Sequence, residues 1–218
     1  MPKIAFVRSM WALTIFLCLL GIAVVIRRAV VILAPPVHNT RLPASLDADF
    51  ARHSLLTMAH IVPGFLFMVL GPLQFSKGLR ARKPALHRWT GRIFLVCGLV
   101  IGATALVMSP QMAIGGANEI AATMLFAILF LFALAKGFVH IRARRYALHR
   151  EWMIRAFAIG LAVATIRPIV GVFFATSRLT HLTPHDFFGT AFWIGFTMHL
   201  IAAEAWINYT RSRIPARA

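Results

Sequence analysis

Acidic residues are scarce in this sequence: its 218 residues include 6 Asp and Glu, against 23 Lys and Arg. All charged residues together make up 13%, which is about half the share in an average soluble domain. Apolar residues make up 60% and occur in long runs, which excludes a soluble globular domain, a disordered chain and a coiled coil. Because the basic residues form short clusters between these runs, we expect no nucleic-acid partner.

Cysteine is equally rare, and the motifs of several enzyme classes are missing. Cys18 and Cys97 both lie within apolar runs, and no CxxC, CxxCH or zinc spacing is present, which argues against a structural disulfide or c-type haem. The Walker, GxSxG, GxGxxG and HExxH motifs are also missing. His181 and His185 have a spacing that can bind metal, but Pro184 between them predicts a helix start instead, so we expect no metal site.

Six apolar runs are long enough, or nearly long enough, to cross a membrane as helices. They lie at about residues 10–26 (extending toward 34), 55–75, 91–109, 119–140, 153–175 and 187–209. Arg27 and Arg28 interrupt the first run, which lacks a signal-peptide cleavage site, so we expect its helix to be retained. The sequence predicts an all-α, polytopic membrane helix bundle with six transmembrane helices, in a single integral membrane domain over residues 1–218.

The connections between these runs differ strongly in basic residues. The two termini and the second and fourth connections hold 17 Lys and Arg, whereas the opposite side holds 5. By the positive-inside rule, both termini are expected to be cytoplasmic, in a bacterial inner membrane, with anionic lipid headgroups at the basic connections. Ser45 is expected to cap a short outer helix, and Thr183 to cap the last span with Pro184 as its first residue.

A nine-residue segment occurs twice, 62 residues apart. Residues 80–88 read RARKPALHR and residues 142–150 read RARRYALHR, so 7 of 9 positions are identical. The sequence therefore predicts a tandem two-helix repeat of spans 2–3 and 4–5, with His87 and His149 at equivalent positions. Two interpretations stay open: the basic clusters only set the topology, or the two histidines act together on a cofactor, a quinone or protons.

Three segments carry a family resemblance: GPLQF at 71–75, LHRWTGR at 86–92 and HREWMIR at 149–155, together with His60 and Arg167. They resemble an uncharacterised bacterial multi-pass membrane protein family catalogued as domain of unknown function 2306. The resemblance covers about residues 55–170. It implies a multi-pass membrane protein and no established activity.

Ionisable residues within membrane spans are functional candidates because they are costly there. Arg167 stays charged and needs a partner. It can reach the interface or bond the backbone carbonyls that Pro168 frees, or it can bind an anionic ligand. Glu119 is the nearest acid to Arg167. Glu204 is expected to form a structural ion pair with Arg92 or Arg155, which begin neighbouring spans.

Histidine pairs raise the possibility of haem, because neutral imidazole nitrogen binds haem iron. His87 with His149 is one candidate pair. His60 with His199 is another, although their depths differ by roughly 9 Å on this threading. A lone membrane histidine more often hydrogen-bonds a neighbouring helix.

Three functions are compatible with these residues. The leading hypothesis is a small membrane redox protein with haem b or quinone, in which His87 and His149 ligate or gate the cofactor and His60 and Arg167 form an outer polar site. The second is a transporter or binder of an anionic or lipid-like molecule, with Arg167 as its counter-charge. The third is a non-catalytic subunit or assembly factor of a membrane complex. Enzymatic activity and oligomeric state stay open.

Overall fold

The fold was examined in a computed structural model that describes residues 2–34 and 49–211. These two ranges are almost entirely helical and contain no β-strand, as predicted. A helical turn covers residues 49–52, and the expected cap at Ser45 lies outside the described residues. The longer elements are α1 (Pro2–Leu33), α2 (Ser54–Phe75), α3 (Lys77–Arg82), α4 (Pro84–Met112), α5 (Gly116–Arg142), α6 (Tyr146–Thr180) and α7 (Pro184–Arg211).

Six of the helices in the described ranges, all except the short α3, are long and apolar enough to cross a membrane. The prediction of a six-span helical membrane protein is therefore confirmed. The helices are longer than the apolar runs: α4 and α6 each begin about two turns before the predicted span. Charged side chains do not interrupt backbone hydrogen bonding, so a helix continues through them into the headgroup region. For the same reason, Arg27 and Arg28 do not interrupt α1.

The chain divides into two compact units, unit 1 at Met1–Met112 and unit 2 at Ala113–Ala218. In unit 1, α1 packs against α2 and α2 packs against α4; in unit 2, α5, α6 and α7 all pack against one another. Each unit contains one predicted repeat hairpin, α2–α4 or α5–α6. We call the end of each unit that carries its repeat segment its basic end. The single membrane domain and the spatial symmetry of the repeats stay predictions.

The two repeat segments form different connections within their hairpins. In unit 1, α3 follows Ser76, whose hydroxyl accepts the Leu79 N–H, and Pro84 then begins α4. Proline is favourable in a first helical turn because it lacks an N–H, and it pushes the preceding residue out of the helical region. In unit 2, Tyr146 replaces this proline, and the chain turns through a left-handed residue, Arg144, with φ of 57°.

The helix start predicted at Thr183 is confirmed. Pro184 is the first residue of α7, and the Asp186 carboxylate accepts the Thr183 N–H at 2.8 Å and its hydroxyl at 2.6 Å. His181 caps the end of α6 with φ of 55°. His181 and His185 therefore lie on two sides of a helix boundary. Within the described residues, no group of three or more His, Cys, Asp or Glu could hold a metal ion.

Small residues allow α6 and α7 to approach closely. Ala162 on α6 and Ala191 on α7 are fully buried. A Cβ atom at Gly195 would lie 2.5 Å from the Ile166 side chain and 3.7 Å from the Ala162 carbonyl oxygen. Helices in a bilayer associate through such packing, because lipid removes most of the hydrophobic drive between them. This contact fixes the α6–α7 crossing on which the polar groups described below depend.

We expect Gly195→Ala to destabilise the protein by about 1–3 kcal/mol, because the added methyl group overpacks the contact with Ile166. Thermal unfolding of the detergent-purified protein would measure the loss. Gly171→Ala on α6 is the matched control, because nothing lies within 4 Å of a Cβ there. An equal melting temperature for the two variants would show that the α6–α7 crossing tolerates a wider separation.

Candidate functional site

Two bidentate ion pairs join α6 to α7 at the basic end of unit 2. Arg155 donates to Glu204 through Nε at 2.5 Å and Nη2 at 2.9 Å. Arg211 donates to the buried Glu151 through Nε at 2.9 Å and Nη2 at 2.5 Å. Paired guanidinium and carboxylate groups satisfy each other's hydrogen bonds with little need for water. Glu204 thus pairs with Arg155, one of its two expected partners.

The expected alternative partner, Arg92, belongs to unit 1. Its guanidinium lies over the Trp89 ring, 5.2 Å from the centroid. In unit 2, Arg155 lies over Trp152 in a similar way, at 4.7 Å, while Arg150 donates to the Thr210 hydroxyl at 3.1 Å. The HREWMIR segment therefore contacts α7 through three of its seven side chains.

His149 is oriented by a hydrogen bond within the α5–α6 hairpin. Its Nδ1 lies 2.8 Å from the Gly137 carbonyl oxygen. Because a carbonyl oxygen can only accept, Nδ1 carries the proton, and in the neutral ring Nε2 carries the lone pair. Gly137 also permits close packing, since a Cβ there would lie 2.6 Å from the Met153 sulfur.

His140, which the sequence analysis missed, lies three residues after Gly137 on α5. Its side chain is buried, and its Nδ1 has no hydrogen-bond partner among the described residues. In the sequence, His140 stands between Lys136 and Arg142, so it reads as part of a solvated basic helix end. The available signal was its one-turn spacing from Gly137, which puts both residues on one helix face.

His60 is held in the same tautomer in unit 1. Its Nδ1 lies 2.8 Å from the Thr104 hydroxyl on α4. That hydroxyl donates its own proton to the Val100 carbonyl at 2.7 Å, so it accepts from His60. In the neutral ring, the lone pair again belongs to Nε2. The bond links α2 to α4 inside a candidate membrane span.

The other two predicted cofactor histidines have different surroundings. His199 on α7 bonds the Thr165 hydroxyl on α6 through Nε2 at 2.7 Å and also hydrogen-bonds the main chain of Ala158. This is the interhelical bonding that a lone membrane histidine usually forms. His87 is half-buried in the first turn of α4. Since His87 and His60 belong to unit 1, and His149 and His199 to unit 2, the two predicted pairs stay predictions.

The GPLQF and LHRWTGR segments meet at the basic end of unit 1. Gln74 donates its side-chain N–H to the Thr90 hydroxyl at 2.7 Å, and Thr90 donates to the Leu86 carbonyl at 2.8 Å. A Cβ at Gly91 would lie 3.0 Å from the Gln74 carbonyl oxygen, so glycine gives the amide its space. These residues tie α2 to α4.

Arg167 lies near a carboxylate at the other end of unit 2. Arg167 is half-buried on α6 and exerts an electrostatic effect on Glu119, in the first turn of α5. Glu119 is buried and accepts the Gly115 N–H at 2.7 Å. The neighbouring Asn118 accepts the Trp193 indole N–H at 2.9 Å. The chain itself therefore supplies an anion near Arg167. Binding of an external anion by Arg167 stays a prediction.

Comparison with known proteins gives one family. The family model described as "Predicted membrane protein (DUF2306)" matches residues 57–207. No curated protein and no solved structure matches the chain. The matched range covers the motif segments of both units and ends within α7, close to the ion pairs.

We expect a double-mutant cycle to detect coupling between Arg155 and Glu204. Arg155→Gln and Glu204→Gln each leave one charge without its partner, so the double variant should lose less stability than the two single variants together. The expected coupling free energy is about 0.5–3 kcal/mol, measured by unfolding in detergent. Arg150→Gln with Glu204→Gln is the control cycle, since Arg150 bonds Thr210 instead. Additive losses in the Arg155–Glu204 cycle would contradict the expectation.

Proposed function

The chain belongs to the DUF2306 family of predicted membrane proteins, and from this premise we propose that it is a small membrane redox protein that binds b-type haem, with quinone as its lipid-soluble electron partner. Haem, when bound, supplies one-electron transfer. The proposal concerns the residues that would hold it, and it rests first on unit 1.

The fixed tautomer of His60 carries this proposal. Haem iron binds a neutral imidazole through a nitrogen lone pair, and ligating histidines usually donate their other N–H to an oxygen. In unit 1, Nδ1–H of His60 donates to Thr104, whose own proton is committed to Val100. The arrangement fixes the ring and assigns the lone pair to Nε2, inside a membrane span where haem b is soluble.

His149 has the same tautomer and is the second candidate ligand, with His87 as its counterpart in the first repeat segment. His199 is the least suited of the four, because its ring is bonded to two groups of α6. The redox hypothesis therefore gives a ranking of the four histidines that spectra can test one variant at a time.

We expect the detergent-purified protein, expressed with ample haem, to show a Soret band and, after dithionite reduction, sharp α and β bands. His60→Gln should lose these bands, because the glutamine amide can still donate to Thr104 but is a poor iron ligand. His199→Gln is the matched control, since it replaces another histidine that bonds a threonine. It should keep the spectrum.

A flat visible spectrum from folded wild-type protein, both in isolated membranes and after purification, would reject the haem proposal. Bands that survive in His60→Gln but vanish in His149→Gln would instead move the ligand to unit 2. Thermal unfolding of each variant would separate loss of the ligand from loss of the fold.

We also propose that the protein lies in the bacterial inner membrane with its basic ends and both termini in the cytoplasm. The distribution of 17 against 5 Lys and Arg supports this orientation. Exposed aromatic side chains, Trp89 in unit 1 and Tyr146 in unit 2, lie at the basic ends, where they suit the headgroup region of anionic lipids.

Cysteine labelling on intact cells would test the orientation. Ala143, in the α5–α6 connection, and Ala117, at the other end of α5, are both exposed, whereas the native Cys18 and Cys97 are buried. A membrane-impermeant maleimide should label Ala117→Cys on intact cells and should label Ala143→Cys only after permeabilisation. The reverse pattern would overturn the proposed orientation.

A further inference from the structure

We propose that the α5–α6 hairpin of unit 2 holds a copper(I) ion between His140, His149 and Met153 at its basic end. This site goes beyond the proposed haem function and uses other residues than His60. It contains two histidines and a thioether.

The first observation is the ring of His140. The side chain is only 8% exposed, its Nδ1 is fully buried, and that nitrogen has no hydrogen-bond partner among the described residues. A buried polar atom without a partner is costly, and such atoms in native proteins usually mark a bound water, an ion or a functional role. The atom therefore points to a ligand that binds at Nδ1.

The second observation is the register of the hairpin, which brings the three side chains to one level. Gly137 on α5 faces Met153 on α6, since a Cβ at Gly137 would lie 2.6 Å from the methionine sulfur. In an antiparallel pair, moving three residues forward along α5 corresponds to moving three or four back along α6. His140 is thus opposite His149, and both lie within one turn of the Gly137–Met153 contact.

The size of the ligand follows from the burial of Nδ1. A quinone ring or a haem edge at this nitrogen would occupy a wide cavity, which would leave the atom exposed when empty. A single metal ion needs only about 2.0–2.1 Å from an imidazole nitrogen, a gap that leaves no exposed surface. A haem between α5 and α6 is also excluded by their close approach at Gly137.

The choice of ion follows from the donors and from the surrounding charge. Thioether sulfur selects soft ions such as copper(I), and imidazole also suits copper. Lys136 and Arg142 on the same helix end disfavour a divalent cation more than a monovalent one. His149 already donates Nδ1–H to Gly137, which leaves Nε2 as its metal-binding nitrogen and provides the outer hydrogen bond typical of metal ligands.

The test is a competition for copper(I) between the full-length, detergent-purified chain and the chromophoric chelator bicinchoninic acid, under anaerobic reducing conditions. We expect the wild type to take one copper(I) per chain. Met153→Leu, which keeps the volume beside Gly137 but removes the sulfur, should weaken binding by about tenfold or more, as should His149→Gln. Met198→Leu, at an exposed position on α7, is the matched control and should bind as the wild type does.

A second measurement keeps the proposal testable if a variant folds poorly. Without copper, His140→Leu should melt at or above the wild-type temperature, because it removes a buried nitrogen that lacks a partner; with copper, only the wild type should gain stability. A lower melting temperature for copper-free His140→Leu would indicate a structural histidine and overturn the proposal. Wild-type protein that leaves all copper with the chelator would overturn it too. His60→Gln should bind copper(I) normally, so the haem and copper proposals fail separately.

Discussion

The lack of water in the hydrocarbon layer is the constraint on which this structure depends. A polar group there must find its partner within the protein, and helices satisfy their backbones internally. Side chains then pair across helices: His60 with Thr104 in unit 1, and His199 with Thr165 in unit 2. In the first pair, the threonine hydroxyl also donates to its own helix backbone, so its single proton is used before the histidine arrives. That order fixes the tautomer of the histidine, and a packing requirement thereby becomes a chemical property.

The same constraint explains the motif segments. Gln74 and Thr90 join α2 to α4, and Glu151 and Arg155 join α6 to α7. Each segment lies at the basic end of its unit, where the helices leave the hydrocarbon region and charged groups become affordable. The basic clusters therefore combine a role in topology with specific contacts between helices, two roles that the sequence alone presents as alternatives.

Apolar runs predict the number and approximate place of the spans because hydrophobic length is a property of the sequence alone. They miss the helix ends, since α4 and α6 continue through basic residues that a hydropathy criterion excludes. Partner choice is less accessible: Glu204 has two arginines at a compatible depth, and only the register of α6 against α7 selects Arg155. His140 escapes notice because its helix face is not written in its charged surroundings. The helix start at Pro184 is fully local, and it is predicted correctly.

The division at Met112 has a consequence for the order of events during synthesis. Each helix of unit 1 finds a packing partner within that unit, α1 on α2 and α2 on α4. A ribosome adds about 5–20 residues per second, so roughly 5–20 s separate the completion of Met112 from the release of the chain. Helix formation takes microseconds or less. The Gln74–Thr90 and His60–Thr104 bonds can therefore form while the second half is still being translated, and the first hairpin is available in the bilayer before its homologous segment emerges.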